Sequence, residues 1–260
     1  MAFETIRLDI DGPAAVVTLN RPERRNALSI QCMEEIIAAA GQAEADPAVR
    51  AVILWGGTEY FSAGADLTDA IKVKSAVQGV EYFRRFHALN DTLETLAKPV
   101  IAAIEGFCMT GGCEVAMACD IRIAGEGASF AITSSKIGTV AGAGGTQRLP
   151  RLVGPSRALE ILFSADPIDA AEAYRIGLVN RLVPKGGALD AAKAMAEGYT
   201  RRAPISHAFV KRAVHRGMQM DLASAIEFET FLVTAIYGTE DKQEGISAFL
   251  EKRQASFKGR

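Results

Sequence analysis

Apolar residues fall two apart at Ile6, Leu8 and Ile10, the spacing of one face of a β-strand. Asp11-Gly12-Pro13 is a turn signal, and AAVVTL (14–19) predicts the returning strand, ended by Asn20-Arg21-Pro22. Ser29 is placed to cap a helix whose apolar face holds Ile30, Met33, Ile37 and Ala40, and Asp46-Pro47 closes that unit. AVILW (51–55) is a continuous apolar run, as in a strand buried on both faces. A second helix is predicted over about 78–97, with Val80, Phe83, His87, Leu89, Leu93 and Leu96 near one stripe and Lys98-Pro99 at its end. PVIAAIEG (99–106) and IRIA (121–124) are two more buried strands, separated by a turn at Gly111-Gly112 and a helix over CEVAMAC. From about residue 156 the pattern becomes mainly helical, interrupted by a short strand at LVNRLV (178–183), and the rest reads as three or four amphipathic helices. The fold class is therefore α/β: one spiral of strand–strand–helix units followed by a helical tail.

The bulk numbers leave that reading intact. The 260 residues suffice for one large domain with an appended helical segment. With 49% hydrophobic and 23% charged residues the chain reads as soluble and globular. A formal charge of -2 gives no field to attract nucleic acid or a membrane surface. The start, MAFETIRLDI, lacks the pattern of a secretory signal, and no apolar stretch approaches the roughly 18 residues of a membrane span. Cys32, Cys108, Cys113 and Cys119 form no CxxC pair and are expected as buried thiols of a reducing compartment, the cytosol. A metal site built from the last three fits no common zinc spacing, so no metal is expected.

Two segments combine glycine, a strand end and a helix start. In Tyr60-Phe61-Ser62-Ala63-Gly64-Ala65-Asp66-Leu67, Gly64 permits a sharp turn, and small Ala63 and Ala65 let a ligand approach the main chain. In the second, Gly106 to Glu114, a helix begins near Gly111-Gly112. Its free N–H groups are ready donors to an oxyanion, and Glu114 falls in the first turn. Read alone, each is equally a structural feature: a strand-to-helix turn, and a carboxylate favoured by the helix dipole. GAGGTQR (142–148) lacks both the GK[ST] ending of a phosphate loop and the setting of a dinucleotide fingerprint, and is expected to be a glycine-rich turn. No HExxH or GxSxG motif is present, and His87, His207 and His215 are scattered.

Taken together, LNRPERRNAL (19–28), FSAGADL (61–67), KPVIAAIEGFCMTGGCEVAMACDIRIA (98–124), GTVAGAGGTQRLPRLVG (138–154) and EGISAFLEKRQASFK (244–258) resemble the crotonase, or enoyl-CoA hydratase/isomerase, superfamily over essentially the whole chain. The resemblance implies a spiral core at 1–195 holding an acyl-CoA site, and an oligomerisation segment at 196–260 that packs trimers, which pair into hexamers. It implies an oxyanion hole formed by the N–H groups of Ala65 and Gly111. Residues around 65–68 would meet the pantetheine arm, and Ala63, Asp66 and Leu67 are the candidate contacts there. Asp66 reads as a structural partner for nearby amides. Arg24, Arg25 and Lys252 are candidate phosphate contacts, Lys252 toward a neighbouring subunit. Coenzyme A enters as part of the substrate, and no separate cofactor is expected.

The family's hydratases use two glutamates, and Glu114 matches the one that activates water. The second is expected 20 residues later, where this chain has Ser134, and no acid lies between Glu126 and Glu160. A serine hydroxyl is too weak an acid to replace a carboxyl group, although it can hydrogen-bond a water or a substrate hydroxyl. The leading expectation is hydration or dehydration of a 2-enoyl-CoA with Glu114 working alone. Double-bond isomerisation, decarboxylation and acyl-CoA binding without turnover are the alternatives.

Overall fold

The computed structural model describes residues 3–260. Strands β1 (Ile6–Asp11) and β2 (Ala14–Leu19) form the antiparallel hairpin expected from the Asp11-Gly12-Pro13 turn, with Leu8 opposite Val17. Ile10 is exposed, so only the first part of the β1 apolar face is used. Helix α1 (Ile30–Ala45) is capped by the Ser29 side chain, which accepts from the Cys32 N–H. Its buried face, Cys32, Met33, Ile36, Ala39, Ala40 and Ala43, is rotated from the expected stripe and leaves Ile30 and Ile37 partly covered.

Three strand–strand–helix turns follow. Strands β3 (Ala51–Trp55) and β4 (Tyr60–Ser62) lead through α2 (Leu67–Ala70) into α3 (Ala76–Thr95). Strands β5 (Val100–Ile104) and β6 (Phe107–Met109) lead into α4 (Gly111–Ala118). Strands β7 (Ile121–Gly125) and β8 (Ser129–Ala131) lead, through a 3-10 turn at Ser134–Ile137, into α5 (Gly145–Val153) and α6 (Pro155–Ser164). The first strand of each pair joins a six-stranded sheet, and the second joins a four-stranded one. β9 (Ile168–Asp169) closes the small sheet; after α7 (Ala170–Arg175), β10 (Arg181–Val183) closes the large one. Except for β1–β2 and β8–β9, the pairings are parallel.

The continuous apolar runs are explained by two covered faces. Val52 and Leu54 face the main core with residues of α1, α3 and α4, whereas Ile53, with Ile101 and Ile123, faces Ala188, Ala192 and Ala196 of α8 (Ala188–Tyr199). Residue 195 thus falls inside a helix packed on the sheet, and the tail proper is α9 (Pro204–Gly217), α10 (Leu222–Ile236) and α11 (Glu240–Leu250). Lys211 of α9 pairs with Asp120 at 2.8 Å and His215 meets the same carboxylate at 3.0 Å, which ties α9 to the core. All four cysteines are free and buried. Among the described residues no helix is long and apolar enough to cross a membrane, and no cluster of His, Cys, Asp or Glu is arranged to hold a metal.

Two expectations need correction. GAGGTQR is not simply a turn: residues from Gly145 onward form α5, with Pro150 inside it. Gly144, at φ 100°, turns the chain into that helix from the left-handed region that glycine tolerates. The second helix spans 76–95 and buries Tyr82, Phe86, Leu89, Asn90 and Leu93, while Val80 and His87 are exposed.

Candidate active site

The two glycine-bearing turns meet. Gly64 has φ 98°, and a methyl group there would lie 2.9 Å from the Met109 carbonyl oxygen and 3.0 Å from the Gly111 nitrogen. Only glycine both adopts that conformation and leaves the space. A methyl on Gly112 would lie 2.6 Å from the Ser62 Cβ, so the start of α4 packs backbone-close against the end of β4. As a result the Ala65 nitrogen lies 3.1 Å from where a Gly111 side chain would start. Neither the Ala65 nor the Gly111 N–H donates to an acceptor among the described residues. Gly111 opens α4, where a helix has no internal acceptor to offer.

The residue between β6 and α4 is strained. Thr110 sits at φ 44° and ψ −111°, a region that disfavours a β-branched side chain. Its N–H donates to the Ala131 carbonyl at 2.7 Å, its hydroxyl lies 2.8 Å from that of Thr133, and the Thr133 N–H donates to it at 3.1 Å. These bonds hold the strained residue to the end of β8 and so fix where the Gly111 N–H points. No pattern in the sequence marked Thr110.

The Ala65 turn is held from below by the LNRPERRNAL segment. Leu28 bridges Ala65, donating to the Gly64 carbonyl and accepting from the Asp66 N–H. The buried Asn26 side chain donates to the Gly56 carbonyl at 2.6 Å and the Tyr60 carbonyl at 3.1 Å. Asp66 is buried and caps α2, accepting from the N–H and hydroxyl of Thr68 and from Arg21 at 2.9 Å. Burial pushes its pKa up, but those hydrogen bonds and the Arg21 charge outweigh it and hold the carboxyl below the usual range. The Asp66 carboxylate is therefore committed to structure, and the Arg21 pairing is one that sequence reasoning missed.

Glu114 is 2% exposed, in the first turn of α4. Its Oε1 accepts from the N–H of Gly145 at 2.8 Å and of Ala143 at 2.9 Å, while Oε2 makes no hydrogen bond among the described residues. Burial raises its pKa from 4.5 to about 6, and the two backbone bonds and the Arg148 charge hold it from rising further. A buried carboxylate with one oxygen anchored, one free and a pKa near neutrality can take and return a proton.

Ser134 is buried and opens the 3-10 turn, one residue after the Thr133 that bonds Thr110; its hydroxyl makes no hydrogen bond among the described residues. Ala63 and Leu67 are exposed beside the Ala65 turn, Leu67 by 59%. Arg24 and Arg25 are exposed after Pro22, with no ion pair among the described residues. Lys252 lies just beyond α11 in the tail. The structure thus brings Ala65, Gly111 and Glu114 together around the start of α4 and places Ser134 near it through Thr133. It leaves Lys252 on a separate element.

A sequence profile of the family described as enoyl-CoA hydratase/isomerase matches residues 9–260. A short-chain-enoyl-CoA hydratase of Clostridium acetobutylicum is 41% identical, with both chains covered completely. A crotonyl-CoA hydratase of Syntrophomonas wolfei is also 41% identical over 99% of each chain. Among solved structures, an enoyl-CoA hydratase from Bacillus anthracis superposes with a TM-score of 0.93 at 35% identity, covering 99% of this chain and 100% of that one.

Proposed function

The chain belongs to the enoyl-CoA hydratase/isomerase family, and on that footing we propose that it adds water reversibly across the double bond of a 2-enoyl-CoA thioester, with Glu114 as its one catalytic carboxylate. The observation that carries this reading is the meeting of the two free amides, Ala65 and Gly111, one helical turn from a buried glutamate with an unbonded oxygen. The thioester oxygen sits between the two N–H groups. Glu114 takes a proton from water as the water oxygen bonds to the β-carbon. The π electrons move to the thioester oxygen, where the fixed amides stabilise the enolate-like charge. Glu114 then returns its proton to the α-carbon, and no proton or electron is left over. Two donors preorganised in the backbone require no side-chain ordering at the moment of reaction.

Residues 63–67 offer a wall for the pantetheine arm, with Asp66 contributing through its backbone, because its carboxylate is already engaged. Arg24, Arg25 and Lys252 are proposed to face coenzyme A phosphates, Lys252 in a neighbouring subunit. The tail is proposed to join subunits into trimers or hexamers: Leu222, Ile226 and Phe231 of α10 and Phe249 of α11 are exposed apolar side chains. Sedimentation equilibrium checks this, and a chain that stays monomeric at micromolar concentration overturns it. With its buried free thiols the protein suits the reducing cytosol.

Ser134 in place of a second acid leaves one second reading, migration of a double bond, in which Glu114 alone moves a proton between two carbons and no water need be activated. A panel of straight, branched, cyclic and aromatic 2-enoyl-CoAs, followed by loss of the conjugated thioester absorbance, separates the two. Hydration removes the absorbance and yields a 3-hydroxyacyl-CoA; isomerisation of a 3-enoyl-CoA raises it. Binding without turnover of either class would reject the enzyme reading. Installing the absent carboxylate is a further check. Ser134→Glu is expected to raise the rate of crotonyl-CoA hydration, by up to roughly 10²-fold. An unchanged or lower rate in a folded variant contradicts the placement of Ser134 at the vacant acid position.

A further inference from the structure

We propose that Asn90 is a positioning residue for Glu114: by gripping the Ala143 carbonyl it aims two backbone amides at one oxygen of the carboxylate. The inference rests on the reading of Glu114 as the proton-handling group. Asn90 lies on α3, fully buried between Leu89 and Leu93. Its Nδ2 donates to the Ala143 carbonyl at 2.7 Å. That carbonyl lies in the chain between the Ala143 and Gly145 N–H groups, the two donors to Glu114 Oε1. Gly144, between them, is in the left-handed region and gives the turn no side chain of its own with which to hold its shape. The hold comes instead from α3, where Glu94, one turn beyond Asn90, pairs with Arg148 of α5 at 2.6 Å.

The Asn90 Oδ1 is buried and has no hydrogen-bond partner among the described residues. A buried acceptor left unpaired costs about what the one bond on the other side gains, so the Asn90 side chain is expected to add little to folding. Its bond instead lands on the turn that anchors the glutamate. Without it the Ala143 carbonyl keeps only a longer bond from Arg148 Nη1, at 3.5 Å, so the two amides are held less firmly on Oε1 and the anionic form of Glu114 is favoured less. The charged groups around Glu114 are Arg148 of α5 and, beside that arginine, Glu94 and Asp91 of α3. None of these changes when Asn90 is replaced.

The test is Asn90→Leu, which keeps the branching and heavy-atom count of the side chain and suits its apolar neighbours, assayed by kcat, KM and the pH dependence of kcat on crotonyl-CoA, with a thermal melt alongside. Expected is a kcat lower by roughly ten- to a hundredfold, an unchanged KM, an acid limb displaced to higher pH, and a melting temperature equal to or above that of the parent. A merely structural asparagine would lower the melting temperature and leave the pH profile in place, which overturns the proposal. Should the leucine variant fold poorly, Asn90→Ser makes the same measurement, and a kcat within twofold of the parent again overturns it. Glu114→Gln run in parallel separates the two ideas. If that variant is inactive while the Asn90 variants are normal, only the positioning role fails. If it retains activity, the reading of Glu114 fails with it.

Discussion

Replacing Glu114 by Gln is expected to lower hydration by roughly 10²–10⁴ while leaving acyl-CoA affinity nearly unchanged. The amide keeps an oxygen able to accept from the Ala143 and Gly145 N–H groups, so the side chain has no reason to move. What it loses is the ability to take a proton. The same change is expected to stabilise the protein at pH 7. The carboxyl group is shifted from 4.5 to about 6 by burial, so the stability it confers is complete below about 4.5 and lost as the pH rises through 6. Above that, ionised Glu114 costs the fold about 2 kcal/mol, a cost the neutral glutamine avoids. The Glu114→Gln variant should therefore melt a few degrees higher than the parent at pH 7, and the difference should vanish near pH 4. Calorimetry at the two pH values, with initial rates on crotonyl-CoA, checks both halves. Turnover near the parental rate would remove Glu114 from the mechanism.

Gly64→Ala is expected to damage the other half of the site. The methyl group would lie 2.9 Å from the Met109 carbonyl and 3.0 Å from the Gly111 nitrogen, on a residue held at φ 98°. Backbone cannot yield at both contacts without parting the turns that carry Ala65 and Gly111. Losing one oxyanion donor lowers the rate by roughly 10²–10³, and that is the loss expected in kcat/KM, with destabilisation of about 1–3 kcal/mol from the strained conformation. Rates normalised to the folded fraction separate the two effects. A folded variant with kcat/KM within about twofold of the parent would mean that the apposed amides do not bind the reacting oxygen.

The spiral was legible because its large-sheet strands are buried on both faces: residues 51–55 and 100–104 are uninterrupted apolar runs, and 121–124 is interrupted only by the buried Arg122. The partner strands β4, β6 and β8 are three residues each, too short for any period to register. α5 was obscured by composition: GAGGTQR (142–148) read as a glycine-rich turn, yet from Gly145 onward the helix is held by Arg148 on Glu94 and covered through Leu149. At the site, glycine at a strand end marked the two turns as candidates, but each had an equal structural reading, and Ala65, Gly111 and Glu114 were given roles only through the resemblance to the crotonase superfamily. What holds them could not be named. Glu114 is anchored by backbone amides about thirty residues away, strained Thr110 is held by bonds to Ala131 and Thr133, and the polar side of Asn90 lies inside an apolar stripe. Such partners depend on tertiary approach and leave no local signature.

Whether one carboxylate carries the whole proton cycle is tested most directly by the pH dependence of kcat/KM for crotonyl-CoA. Glu114 must be ionised to accept the proton from water and needs no second acid to return it. The expected profile is therefore flat above neutrality and falls tenfold per unit below about 6, and the limb disappears with the activity in Glu114→Gln. A bell-shaped profile with a second fall on the alkaline side of neutrality, or an acid limb that persists in the glutamine variant, would contradict the single-glutamate account.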